Sequence, residues 1–239
     1  MYDSFNRLVE GLLEHQDAQV VILSNGLLAA QKLDPAWPRE RIHLQISLDG
    51  SPEQHDAVRG RGSFALLQKQ QLFLKENGWQ FTLSMCPTQA NHQDIPWLVD
   101  FAADMGAAAV HYMWYFIRGR GSEEQAVAPE QLLPLLAVAM ERSRLRGVPI
   151  DNIEAIRQRI FSPPGTIHDG SSAGVEAAAI GPDNWLYPTA ATVGVRQLST
   201  SLEAGLAAAW QQSEVLTEIR RTTAANLSTP WRYLHGGGD

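Results

Sequence analysis

Four short polar stretches close apolar runs and hold the residue types best suited to chemistry: Ser24-Asn25-Gly26, Ser47-Leu48-Asp49-Gly50, Met85-Cys86-Pro87-Thr88 and Phe116-Ile117-Arg118-Gly119-Arg120-Gly121. Arg59 follows the second stretch. Its planar fork donates two parallel hydrogen bonds and so suits a carboxylate. Two readings stay open: the carboxylate belongs to a ligand, or to a nearby acid such as Asp56, with Asp49-Gly50 acting only as a strand-ending turn. Asn25 and Gly26 both tolerate positive φ, so that pair serves either a turn or a ligand contact. Arg118 and Arg120 either meet an acidic partner or stay solvated. Cys86 reads as a buried, inert thiol. His111, His168, His235 and Asp239 invite a metal reading. However, His235 and Asp239 are joined through the flexible Gly236-Gly237-Gly238, and zinc takes about four well-placed ligands, so no metal site is expected. Trp97, Trp114, Trp185, Trp210 and Trp231 read as core or interface anchors. No residue is assigned a catalytic role.

These stretches need elements to position them. Phe5, Leu8, Val9, Leu12 and Leu13 have helical spacing, which predicts a helix over 4–15. Val20-Val21-Ile22-Leu23 reads as a strand buried on both faces. A helix over 27–33, a strand over 42–48, a helix over 63–77 and a strand over 81–85 follow. Then come a helix over 95–105, a strand over 110–117, a helix from Pro129 to Arg146 and a short fifth strand over 148–151. Repeated β–α alternation predicts a parallel sheet with crossover helices, whose sites lie at the carboxyl ends of the strands. The pattern changes near residue 160, where Ser162-Pro163-Pro164-Gly165 reads as a linker. Beyond it, Gly181-Pro182-Asp183-Asn184 predicts a hairpin between 176–180 and 185–187, followed by two short helices over 201–211 and 213–223.

Composition narrows the function classes. The chain has 239 residues, 44% hydrophobic and 19% charged, enough for a proper core. Its 19 Lys plus Arg against 26 Asp plus Glu give a net charge of −7, unlike a nonspecific nucleic-acid binder. No apolar run approaches the roughly 20 residues that span a bilayer. No signal region opens the chain, so no membrane partner and a cytoplasmic location are expected. A single cysteine excludes a disulfide framework and any all-cysteine cluster site within these residues.

The run Gln45-Ile46-Ser47-Leu48-Asp49-Gly50, followed by His55-Asp56-Ala57-Val58-Arg59-Gly60, resembles the radical SAM enzymes. There a strand ends in Ser-x-Asp-Gly, and an arginine lies a dozen positions past the serine. Ser24-Asn25-Gly26, Ser63-Phe64 and Asn91-x-x-Asp94-Ile95-Pro96 resemble the same family, and the likeness runs over roughly residues 5–121. The end of the chain resembles the SPASM domain of peptide-modifying members. Ser171-Ser172-Ala173-Gly174, Gly181-Pro182-Asp183-Asn184 and Tyr187-Pro188-Thr189 match its hairpin region, and Pro230-Trp231-Arg232-Tyr233-Leu234 with Gly236–Gly238 matches its closing segment. The resemblance implies a partial (β/α) barrel over 1–160 and a small SPASM-like domain with a β-hairpin and short helices over 161–239. It also implies that Ser47 and Arg59 hold the amino-acid end of S-adenosylmethionine, that Asn25 and Asp49 are further cofactor-binding positions, and that Phe116 and Ile117 meet its adenine.

The departures are as informative as the matches. Ser171, Thr189, Asn226, Thr229, His235 and Asp239 stand where the SPASM pattern has cluster cysteines. The family's Cys-x-x-x-Cys-x-x-Cys loop and Gly-Gly-Glu segment have no counterpart in these residues. No iron–sulfur cluster is therefore expected in this chain, and S-adenosylmethionine is the one cofactor the resemblance allows. The expected function is that of a cluster-free, non-catalytic subunit or peptide-binding partner in a peptide- or protein-modification system. Its expected partners are a cluster-bearing radical SAM enzyme or a peptide substrate. The alternative is the C-terminal part of an active enzyme whose cluster-binding half is on another chain.

Overall fold

The computed structural model describes residues 4–113, 115, 117, 121–153 and 173–225. The chain divides into two compact units, Met1–Ile160 and Phe161–Asp239.

The first unit is built on four parallel strands: β1 (Val20–Ser24), β2 (Ile42–Ser47), β3 (Gln80–Met85) and β4 (Ala109–Tyr112). Their order in the sheet is β1-β2-β3-β4, and Ile150 adds a single parallel bridge to Val110. Helices α1 (Phe5–Leu13), α2 (Ala29–Lys32), α3 (Pro52–Arg59), α4 (Ser63–Glu76), α5 (Ile95–Met105) and α6 (Pro129–Arg146) occupy the intervening segments. The register pairs Leu44 with Ile22 and Phe81, and Leu83 with Val110. Because side chains alternate across a strand, these residues share one face. That face joins Leu67, Leu74, Leu98, Val99 and Ala102 of α4 and α5 in one buried core. Arg41 fastens α1 to this layer by donating to the carbonyls of Leu13, His15 and Ala18.

The opposite face carries Val21 and Leu23 on β1, then His43, Gln45, Ser47, Thr82, Ser84 and His111. β1 is therefore not buried on both faces as its composition predicts. It is the outer strand of the described sheet, and Val21 and Leu23 are 54% and 67% exposed. Three further expectations are corrected. β4 ends at Tyr112 rather than running to residue 117, the 148–151 strand shrinks to the Ile150 bridge, and the helix over 27–33 is only the single turn of α2. Helix α3 was not anticipated. Its sequence, Pro-Glu-Gln-His-Asp-Ala-Val-Arg, has almost no apolar periodicity, though Pro52 at its first position and Gly60 past its end are helix boundary signals.

The second unit has three short antiparallel strands in the order β5 (Ala179–Ile180), β6 (Trp185–Tyr187), β7 (Thr200–Ser201). The expected hairpin is present, and Asn184 turns it at φ 61°. Asparagine is among the few side chains that tolerate this left-handed conformation. Helices α7 (Leu206–Gln212) and α8 (Glu214–Ala225) complete a small core of Leu186, Ala209 and Leu216. The guanidinium of Arg220 lies over the Trp210 ring and donates to the carbonyls of Gly174 and Trp210. The linker at 162–165 and the aromatic segment at 230–234 lie outside the described residues.

One core position breaks the apolar pattern. Gln71 sits on the buried stripe of α4 with Phe64, Leu67 and Leu74, is 1% exposed, and neither its Oε1 nor its Nε2 has a hydrogen-bond partner. A buried polar group left unsatisfied costs about 1–3 kcal/mol. Gln71→Met, which nearly keeps the volume, should raise the unfolding free energy by an amount in that range. Chemical denaturation of the two proteins measures it, and a loss of stability would show that the amide is satisfied by buried water.

Candidate functional site

The carboxyl ends of β2 and β3 meet in a closed polar knot. Its centre is the Asn91 side chain, buried to 3% exposure. Asn91 Nδ2 donates to the carbonyls of Asp49 (2.9 Å) and Cys86 (3.2 Å), and Oδ1 accepts from the backbone N–H of Thr88 (2.7 Å) and its hydroxyl (3.2 Å). Beside it, Asp94 Oδ2 accepts from the Ser51 N–H at 2.7 Å. Gly50 lies between them at φ +129°, and a Cβ there would come within 2.5 Å of Asp94 Oδ2. Position 50 therefore demands glycine twice over, by conformation and by space.

Asp49 is engaged from three sides. Its N–H donates to His55 Nδ1 at 3.2 Å, its carbonyl accepts from Asn91, and its carboxylate accepts from Arg59 Nε and, at 3.5 Å, Arg59 Nη2. Arg59 thus meets an acid of its own chain, Asp49 rather than Asp56. Asp56 is occupied elsewhere. It accepts from the N–H groups of Gly62 and Phe64 and from the Ser63 hydroxyl, and these bonds, the Phe64 one first, hold its carboxyl below the usual range. His55 is 1% exposed, and burial lowers its pKa against the opposing pull of Asp49. A neutral ring agrees with Nδ1 acting as acceptor.

Asn25 is exposed, and its side chain accepts from the Leu27 N–H at 3.3 Å, an Asx turn at the end of β1, while Gly26 takes the positive φ. Ser47 is level with Ser84 across the β2–β3 pair. Phe116, Arg118 and Arg120 lie outside the described residues. Ile117 is 52% exposed.

Two further features were not anticipated from the sequence. The first is the hydrogen-bonded polar face of the sheet. His43 Nε2 pairs with Thr82 Oγ1 (2.8 Å), Gln45 donates to Ser84 Oγ (3.0 Å), and His111 Nδ1 pairs with Asp151 Oδ1 (2.7 Å). The alternation in Ile-His-Leu-Gln-Ile-Ser of β2 is its signal, since a strand buried among apolar groups on both faces reads as a continuous run. The second is an apolar cavity of about 240 Å³ past the ends of β3 and β4, walled by Pro87, Ile95, Met113, Ile117, Val127 and Leu132 among others.

The described residues do not fit an iron–sulfur cluster. Cluster iron takes several thiolates. Cys86 is the single thiol, and burial pushes its pKa up to about 11, so it stays protonated near neutrality. Among the described residues no group of three or more His, Cys, Asp or Glu side chains is placed to hold a metal. In the second unit, Thr189 starts a helical turn, with its N–H donating to Thr192 Oγ1. For S-adenosylmethionine, one edge of the Arg59 fork, to which the resemblance assigns the ligand carboxylate, already meets Asp49.

No family model matches the chain. The chain is 27% identical over 114 residues to the AdoMet-dependent heme synthase of Methanosarcina barkeri, a match covering 46% of this chain and 33% of that relative. The structure is similar to that of anSMEcpe with bound AdoMet and the Kp18Cys peptide, with a TM-score of 0.64, 13% identity, and 97% of this chain and 71% of that one covered. It is also similar to Streptococcus suis SuiB bound to the precursor peptide SuiA, with a TM-score of 0.65, 15% identity, and 92% and 53% covered. The chain thus spans about a third of the curated relative and about half of SuiB. These proteins are all of the radical SAM family, and the chain is radical SAM-like, with a parallel sheet and flanking helices consistent with their partial barrel and a separate small antiparallel sheet.

The knot makes stability depend on pH through His55. In the folded chain its pKa lies below the ordinary 6.5, as does that of His43, which burial also lowers. As pH falls through 6.5 the unfolded chain takes up protons that the folded chain refuses, so stability falls from there towards the lowered folded values. His55→Gln, which keeps an acceptor for the Asp49 N–H, should flatten part of this fall. Denaturation midpoints at several pH values between neutrality and about pH 5 test the sign; an unchanged pH dependence in the variant would assign the effect to other groups.

Proposed function

We propose that this chain is a cluster-free, non-catalytic member of a peptide- or protein-modification system, in which it binds a peptide and makes no radical of its own. The observation that carries the reading is the closed Asp49–Arg59 pair. An internal carboxylate occupies the arginine fork to which the resemblance assigns the cofactor's carboxylate. A lone protonated thiol supports the same reading. Peptide binding is supported by the two solved neighbours whose structures contain a peptide. The partner of this reading is a cluster-bearing radical SAM enzyme acting on that peptide.

One observation favours a second reading, in which the cluster-binding half of an active enzyme is supplied by another chain. β1, the outer strand of the described sheet, presents exposed Val21 and Leu23, and unprotected edges invite pairing. An adjoining reading frame with Cys-x-x-x-Cys-x-x-Cys and Gly-Gly-Glu would favour it.

Anaerobic reconstitution with iron and sulfide, followed by iron analysis and visible absorption, should leave the purified protein without a stoichiometric cluster. Calorimetric titration with S-adenosylmethionine should give no saturable heat for the wild type. Saturable binding that Arg59→Ala weakens by about 1.5–3 kcal/mol, the worth of a charge-assisted hydrogen bond, would overturn the reading. So would a four-iron cluster bound by the monomer.

A further inference from the structure

The cavity past β4 has walls braced by hydrogen bonds. Tyr115 braces one wall: its hydroxyl donates to Gln125 Oε1 (2.6 Å) and accepts from the Ser122 N–H (2.9 Å). Gln89 braces the same segment from the β3 side, with its N–H donating to the Gln125 carbonyl (3.1 Å) and its amide to the Ala126 carbonyl (3.0 Å). The opposite wall is the start of α5 and the first turns of α6, through Ile95, Leu132 and Leu136. No charged side chain stands among its described lining residues.

The side-chain hydroxyls that line the cavity are spent. The Tyr112 hydroxyl donates to the Ile95 carbonyl at 2.6 Å, and the Tyr115 hydroxyl is used twice in the brace. The Met113 N–H donates to the Met85 carbonyl (2.8 Å) and the Ala126 N–H to that of Glu123 (3.0 Å), while Pro87 has no N–H. A purine entering here would lose the water bound to its ring nitrogens and amine, with both lining hydroxyl protons already engaged, and such losses are costly. An apolar group loses nothing of the kind. At about 240 Å³ the cavity lies below the roughly 300–1,000 Å³ of sites for drug-sized ligands, so it suits a single ring or a branched aliphatic chain.

We propose that this cavity takes one apolar side chain, aromatic or branched aliphatic, of a bound peptide, and rejects purine rings. The proposal rests on the peptide-binding reading above and departs from the adenine contact that the resemblance gives Ile117. The cavity then sets which residue of a peptide is held.

The test uses the whole chain labelled with ¹³C at its methionine methyls, with the Met113 signal assigned through Met113→Leu. N-acetyl-phenylalaninamide and N-acetyl-leucinamide should shift the Met113 methyl in a saturable way at millimolar concentration. N-acetyl-alaninamide and adenosine at the same concentrations should not. Ala126→Phe, which fills the cavity, should weaken the phenylalanine derivative at least tenfold; Ile117→Ala, at an exposed position that leaves the core intact, should weaken it severalfold. A stronger response to adenosine, or no response to either apolar amide, overturns the assignment. Cluster or S-adenosylmethionine binding in the preceding experiments would sink the cluster-free reading and leave these shifts as they are, so the two failures are separable.

Discussion

The arrangement of the candidate site depends on one buried amide. Asn91 uses both donors and both acceptor positions of its side chain, and its four partners come from the ends of two strands and the turn that follows the second. A buried amide with all its hydrogen bonds made is rigid, because each alternative orientation leaves a group unpaired in a low dielectric. The end of β2 is thereby fixed against the end of β3. Asp49, held by its carbonyl, can then present its N–H to His55 and its carboxylate to Arg59. Residue types suited to grip a ligand grip one another.

Much of this fold was legible in the sequence. The β-branched runs and the amphipathic helices over 63–76, 95–105 and 129–146 follow from hydrophobic period, and glycine marks the ends of the last two. The rest was hidden for physical reasons. α3 owes its helix to its boundaries and to the polar contacts of His55, Asp56 and Arg59, so no apolar stripe announces it. β1 reads as fully buried because its composition is apolar throughout, and exposure of Val21 and Leu23 follows from its place at the edge, which no local pattern encodes. At the site, the residue types were readable but their pairing was not. Arg59 has acids at positions 49 and 56, and only the fold shows that Asp56 is consumed by the turn at 62–64.

Two faces of one sheet follow different rules. The helix-facing side is uniformly apolar and pays the entropy of folding through burial. The other side carries hydrogen-bonded polar pairs, His43 with Thr82, Gln45 with Ser84 and His111 with Asp151, beside exposed Val21 and Leu23. The apolar cavity lies past the ends of β3 and β4, walled in part by α5 and α6.

The strand order in the first unit is the order of the chain itself. Each strand pairs with the one made just before it and awaits only the one made next, so no pairing requires the ends of the unit to find each other. Parallel sheets assemble slowly when their contacts are distant in sequence, because loop closure must be paid before the contact returns anything. Here every closure spans a single crossover. As the polypeptide leaves the ribosome, β2 can dock on β1 and bury Leu44 while β3 is still being synthesised, and each later strand finds a template already in place. A growing sheet of this kind accumulates its core by increments, with β1 as one edge and the newest strand as the other.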